Sequence, residues 1–165
     1  FVEAGCLDQF QRGQARRRGE RAGKRGLSAE QVPALIARDR AGHTVDAVLP
    51  DLGAKAIGAA LAPVVAGDAV LCSDGAKAYA AFAAEHGLRH EPINIAAGVR
   101  VRDGAFHIQN VNAYTSRLKD WMRPFKGVAS WYLPSYLGWR RAIERLGENF
   151  TPERCLQAAY RCAST

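Results

Sequence analysis

The stretch Asp68-Ala69-Val70-Leu71-Cys72-Ser73-Asp74-Gly75 does most to limit what this chain can become. A short apolar run stops at a Ser-Asp-Gly turn signal, the pattern of a buried central strand. Residues 76–86, AKAYAAFAAEH, follow at once with Tyr79, Phe82 and Ala83 on one helical face, and Gly87 marks the end of that helix. A buried strand leading directly into a helix needs a sheet around it and a helical layer over it. That points to a mixed α/β domain.

The flanking segments supply those parts. VPALIARD and HTVDAVLP lie on either side of Arg40-Ala41-Gly42, two β-rich runs around a short turn, which predicts a hairpin. Residues 54–65, Ala-rich, predict a helix ending near Pro63, and His90 to Ile95 a further strand. From His107 to Met122 the apolar residues Val111, Tyr114, Leu118 and Trp121 recur at helical spacing. Asn112, Thr115 or Ser116, and Lys119 share a second face of that helix. Another helix carries Tyr132, Tyr136, Trp139, Ile143 and Leu146 with Gly147 as its cap, and Thr151-Pro152-Glu153 opens a last one running to about Tyr160. The expected organisation is a single domain over residues 1–165, without internal repeats.

Charge is distributed unevenly. Lys and Arg number 23 against 16 Asp and Glu, a formal charge of +7, yet residues 11–26 alone hold six Arg and one Lys against one Glu. That Gly-rich segment has no hydrophobic periodicity, so a basic flexible arm is expected. It would be either a solvated linker or a contact to a phosphate backbone, where displaced counterions favour binding. Of the four cysteines, Cys6, Cys72, Cys155 and Cys162, none forms a CxxC pair, which speaks for reduced thiols with Cys72 as a small core residue. No apolar run reaches the ~20 residues of a membrane span, and no basic segment leads into an apolar stretch at the start. A cytoplasmic protein is expected.

Asp74 is the best single candidate for chemistry. It stands at the carboxyl end of the predicted buried strand, where ligands gather in open α/β sheets, and it can offer hard oxygen donors to Mg²⁺. The same position would equally suit a helix-capping Asp. His107-Ile108-Gln109-Asn110-Val111-Asn112 opens the long helix with a density of amides, either caps or functional groups. Further along, Arg117, Lys119, Arg123 and Lys126 interleave with Trp121 and Phe125, a pattern shared by nucleic-acid surfaces and by solvated amphipathic helices.

Taken in order, "SDGAKAY", "HIQNVNAYTSRLKDWM" and "GVASWYLPSYLGWRR" closely resemble the catalytic domain of bacterial insertion-sequence transposases. The branch is the ISXO-like one, a DDE-type group in which Asn can replace the third acidic residue. The resemblance covers residues 27–147 strongly and the first ten weakly. It implies an α/β fold with an RNase H-like mixed sheet flanked by helices, and cut-and-join chemistry on DNA ends. Two divalent ions (Mg²⁺ or Mn²⁺) roughly 4 Å apart would serve that chemistry. By position, Asp74 matches the second catalytic Asp and Asn112, 38 positions on, the third acidic residue. Lys119 matches a Lys typical of the family that would approach a DNA phosphate. An Asn carbonyl can ligate Mg²⁺ but brings no charge, so the ion would be weakly held.

The chain departs from the family at the first ligand. Where a first strand reading like "VEADET" is usual, this sequence has Val2-Glu3-Ala4-Gly5-Cys6, with Gly5 in the place of the metal-binding Asp. Asp8 would substitute only with a shift of strand register, and Glu3 shares the face of position 5. The metal ribbon or helix-turn-helix that commonly precedes such a domain is not read here, and a truncated or impaired transposase is the expectation. The catalytic candidates are therefore Asp74, Asn112 and Asp8, and the metal candidates Asp74 and Asn112. Arg16, Arg17, Arg18, Lys24, Arg25, Lys119, Arg123 and Lys126 are the candidate DNA contacts. DNA is the expected partner, with room for a homodimer. The rivals are a non-catalytic DNA-binding remnant and a basic structural protein that meets an acidic partner.

Deleting residues 11–26 should weaken DNA binding for all sequences alike and flatten its salt dependence, because phosphate contacts carry little sequence information. Affinity measured across a salt series checks this; an unchanged slope would make the segment a linker.

Overall fold

The computed structural model describes residues 2–11 and 31–163. Five strands, β1 (Val2–Gln11), β2 (Gln31–Asp39), β3 (Thr44–Val48), β4 (Val70–Ser73) and β5 (Arg89–Pro92), form one sheet in the order β3-β2-β1-β4-β5. β1 runs antiparallel to β2 and β2 antiparallel to β3, whereas β4 is parallel to both β1 and β5. Helices α1 (Ala54–Leu61) and α2 (Lys77–Glu85) fill the crossovers into and out of β4. The chain then continues into α3 (Gln109–Met122), α4 (Leu133–Leu146) and α5 (Pro152–Ala163). No helix among the described residues is long and apolar enough to cross a membrane.

Most predicted elements are present, with shifted ends. The 54–65 helix stops at Leu61, the strand expected at His90–Ile95 covers Arg89–Pro92, and the long helix starts at Gln109 rather than His107. Tyr132 precedes α4 in a single 3₁₀ turn, so Pro134 falls in the first turn, where a missing N–H costs nothing. The expected arm loses its first residue, because Gln11 ends β1; residues 12–26 lie outside the described residues.

β2 sits centrally in the antiparallel half of the sheet, and every residue from Val32 to Ala37 is buried. Alternation along it feeds two cores. Leu35 and Ala37 join Ala4, Leu71, Ile57, Leu61, Tyr79 and Phe82 on the α1/α2 side. Val32, Ala34 and Ile36 join Cys72, Ile93, Val111, Tyr114, Leu118 and Leu137 on the α3/α4 side. Pro33 lacks an N–H for the ladder, and it lies where the pairing of β1 with β2 shifts between Leu7 and Phe10. Leu7 faces Ala34 and Phe10 faces Val32, so β1 carries one extra residue there, a bulge that accommodates the proline.

Polar contacts fasten α3 and α4 over the β3 edge. Glu144 receives Arg117 at 2.7 Å, Arg140 at 2.9 Å and Arg38 at 3.0 Å. Burial alone would raise its pKa, but these guanidiniums outweigh that and hold the carboxyl below its ordinary value. Arg141 lies 3.3 Å from Asp46, whose pKa burial raises despite that partner. Between these groups the Tyr114 hydroxyl is buried without a hydrogen bond among the described residues, under the Arg38 guanidinium at 5.2 Å from its ring. Burial first, and the Asp46 charge second, push the Tyr114 phenol up to about 12.

A phenol whose pKa is higher in the folded than in the unfolded chain stabilises the fold below pH 10 and loses that contribution as pH rises toward 12. Absorbance titration should therefore show one tyrosine ionising last, together with loss of the native circular dichroism. Tyr114→Phe should abolish that late step.

Candidate functional site

β4 ends beside β1, which runs on past it to Gln11. Val2, Glu3 and Ala4 of β1 pair with Leu71, Cys72 and Ser73 of β4, so the next residues along, Gly5 and Asp74, stand level. Neighbouring strands lie about 4.8 Å apart. Pleat alternation puts Glu3 and Gly5 on the α3 face, opposite Ala4, which packs with α1 and α2.

The turn after β4 is built from its own side chains. Gly75 takes φ +85°, a left-handed conformation that glycine adopts without a Cβ clash, and its N–H donates to Ser73 Oγ at 3.2 Å. Asp74 is exposed, and its Oδ1 accepts the Ala76 amide at 3.2 Å, which leads the chain into α2. Ser73 Oγ also meets His90 Nε2 at 2.8 Å. Burial lowers the pKa of His90, against the raising effect of Glu91 and Asp74. Asp74 thus has a fixed position, with a capping contact on one oxygen.

On the facing helix, Asn112 lies exposed in the first turns of α3. What ties that end of the helix to the sheet is Glu3. Its side chain is 1% exposed, and Oε2 accepts the Val111 amide, the residue before Asn112, at 2.9 Å. Oε1 makes no hydrogen bond among the described residues, and His107 Nδ1 stands 3.3 Å from it. The same nitrogen is 3.4 Å from the Gln109 amide, and it can serve only one of the two, as donor to the carboxylate or as acceptor from the amide. Cys72, next to Glu3 in the sheet, is a buried free thiol; burial first and the Glu3 charge second raise its pKa, which keeps it unreactive.

The sequence offered Glu3, on the face of position 5, only as a second option beside Asp8, and one oxygen of its carboxylate is engaged by the Val111 amide. The signal was available in the sequence, since an acidic residue in a buried strand must meet a donor. Asp8 lies in the β1 bulge, three residues or about 10 Å of strand beyond the level of Asp74. Of the basic candidates, Arg16, Arg17, Arg18, Lys24 and Arg25 lie outside the described residues. Lys119 sits half-buried on α3, Arg123 pairs with Asp120, and Lys126 is exposed where the chain turns at φ +56°.

A model of the ISXO2-like transposase domain matches residues 3–140. The chain belongs to that family of insertion-sequence transposase domains. The order and directions of its five strands, with helices on both faces, are those of an RNase H-like α/β domain. The family's work is DNA transposition, on DNA and generally with divalent metal ions. No curated protein and no solved structure matches the chain. Among the described residues, no group of three or more His, Cys, Asp or Glu converges as a metal site. Asp74 and Asn112 both offer oxygen donors of the kind that suits a hard cation, with one negative charge between them.

At position 5 there is room for a β-carbon. A Cβ built on Gly5 meets nothing within 4 Å, and its backbone is not left-handed. Gly5→Ala should therefore stabilise the fold by about 0.4–1 kcal/mol through the unfolded chain, read as a higher urea midpoint at unchanged slope.

Proposed function

We propose that this chain is a transposase catalytic domain whose reaction, DNA-end cleavage and strand transfer, is crippled by glycine at position 5. The reading is supported chiefly by the level placement of Gly5 and Asp74 where the parallel pairing of β1 with β4 stops, on the face of the sheet covered by the helix that carries Asn112. Asp74 and Asn112 would hold Mg²⁺ or Mn²⁺, and such an ion, when bound, would stabilise charge on the leaving oxygen of a DNA phosphodiester. Asp74 would supply the only carboxylate, and the Asn112 carbonyl would complete one side. Mg²⁺ bound by a single protein carboxylate relies on substrate phosphates and water for its other ligands, so binding would be weak until DNA arrives. Residues 11–26 with Lys119, Arg123 and Lys126 would hold the DNA backbone, in a cytoplasmic protein that can pair as a homodimer on two ends.

A second reading, a DNA-binding remnant without catalysis, is favoured by the same Gly5, which offers no side chain to any ion.

Strand transfer on the element's own ends separates the two. The chain as it stands should show little or no Mg²⁺-dependent product. Gly5→Asp should recover part of the activity, and Asp74→Ala or Asn112→Ala should remove that recovery by about a hundredfold or more. Robust activity of the unmodified chain that survives Asp8→Ala would overturn the proposal. Its loss on Asp8→Ala would instead make Asp8 the first ligand. DNA binding without product in every variant would establish the remnant.

A further inference from the structure

Glu3 is an expensive residue to keep where it is. A carboxylate removed from water needs donors, and an apolar residue in this core would need none. Its contact reaches across 108 residues of sequence to one backbone amide, that of Val111. The first N–H groups of a helix have no partners within the helix, and the positive end of the helix dipole favours an anion there. Ile108, the residue before α3, cannot cap it, no acidic residue lies in its first turn, and the local contact from the Gln109 amide to His107 Nδ1 is long at 3.4 Å. The strand thus supplies the cap that the helix sequence lacks. Glu3 is two residues from Gly5, and Val111 is adjacent to Asn112, so one hydrogen bond at 2.9 Å joins the two supports of the candidate site.

We propose that Glu3 is a positioning residue: its carboxylate fixes the first turn of α3 on β1, so that Asn112 is presented to Asp74 and to position 5. This rests on the metal-site reading above and extends it to a side chain that does not itself touch the ion. Its length matters more than its charge. Gln at position 3 would keep a carbonyl oxygen at the same reach toward the Val111 amide, with its NH₂ toward His107 Nδ1 acting as acceptor. Asp would keep the charge but fall one methylene short.

The test uses the full chain, natural and with Gly5→Asp, each carrying Glu3→Gln, Glu3→Asp or Glu3→Ala. Amide hydrogen exchange reads the clamp, and Mn²⁺ titration followed by electron paramagnetic resonance reads the site. Glu3→Asp and Glu3→Ala should lower the protection of Val111 about tenfold while Leu118, further along α3, keeps its own. Mn²⁺ affinity should fall about ten- to hundredfold in the same two variants, whereas Glu3→Gln stays near its parent. If Glu3→Ala does not fold, the comparison of Gln with Asp decides alone. Higher affinity with Asp than with Gln would make Glu3 a ligand and overturn the proposal. Lost Val111 protection with unchanged Mn²⁺ affinity would reduce Glu3 to a helix cap and overturn it too. If neither the natural chain nor Gly5→Asp binds Mn²⁺ in a way that Asp74→Ala abolishes, the metal-site reading itself fails, and the positioning role falls with it.

Discussion

β1 has to satisfy two different neighbours at once. Its one edge pairs antiparallel with β2 and its other edge parallel with β4, and near its start both of its faces are covered by helices. Those demands leave little freedom in residues 2–5. Ala4 is small because α1 and α2 press on that face, and Glu3 and position 5 look toward α3. Position 5 also stands level with Asp74, where β4 ends and where ligands gather in open α/β sheets, so packing and chemistry would draw on the same few residues. In this chain the packing demand is met, and Gly5 brings no side chain to the α3 face.

The helical layer on the α3 face is held differently from the opposite one. α1 and α2 rest on an apolar core alone, whereas α4, besides burying Leu133 and Leu137, reaches the β3 edge through the arginines around Glu144 and the Asp46–Arg141 pair. An isolated exposed ion pair contributes no more than about 1 kcal/mol. Three guanidiniums sharing one half-buried carboxylate form a network in which removing Glu144 would leave all three uncompensated. The value of this arrangement lies in orientation: Arg38 and Arg140 both cover the ring of Tyr114, so sheet, α3 and α4 are locked to one another through a single tyrosine.

Much of this was legible in the residues. The hairpin followed from two β-rich runs around Arg40-Ala41-Gly42, the buried strand from Val70–Cys72, and α3 from the spacing of Val111, Tyr114, Leu118 and Trp121. Each is a local pattern whose partner lies within a few residues or on one helical face. What stayed hidden depends on distant partners. The length of β1 rests on pairing with β2 up to Gln11, through a bulge that only the position of Pro33 in the partner strand explains. The role of Glu3 depends on an amide that the folded topology, not the sequence neighbourhood, brings to it. At the candidate site, Asp74 was named from the end of the predicted strand and Asn112 by resemblance, whereas the level of Gly5 beside Asp74 required the strand register.

The long reach of the Glu3 hydrogen bond has a bearing on how the chain acquires its shape. Sheets whose strands pair across many residues fold slowly, because loop closure must precede the contacts that reward it. Here the earliest residues wait for β4 before the parallel half can form and for α3 before the Glu3 carboxylate finds its amide. On a ribosome, β1 and β2 would emerge as a hairpin with one apolar face bare and an acidic side chain within it. That charge keeps the unfinished sheet hydrated and hinders its pairing with another copy. The residue that anchors the finished domain therefore also guards the nascent one.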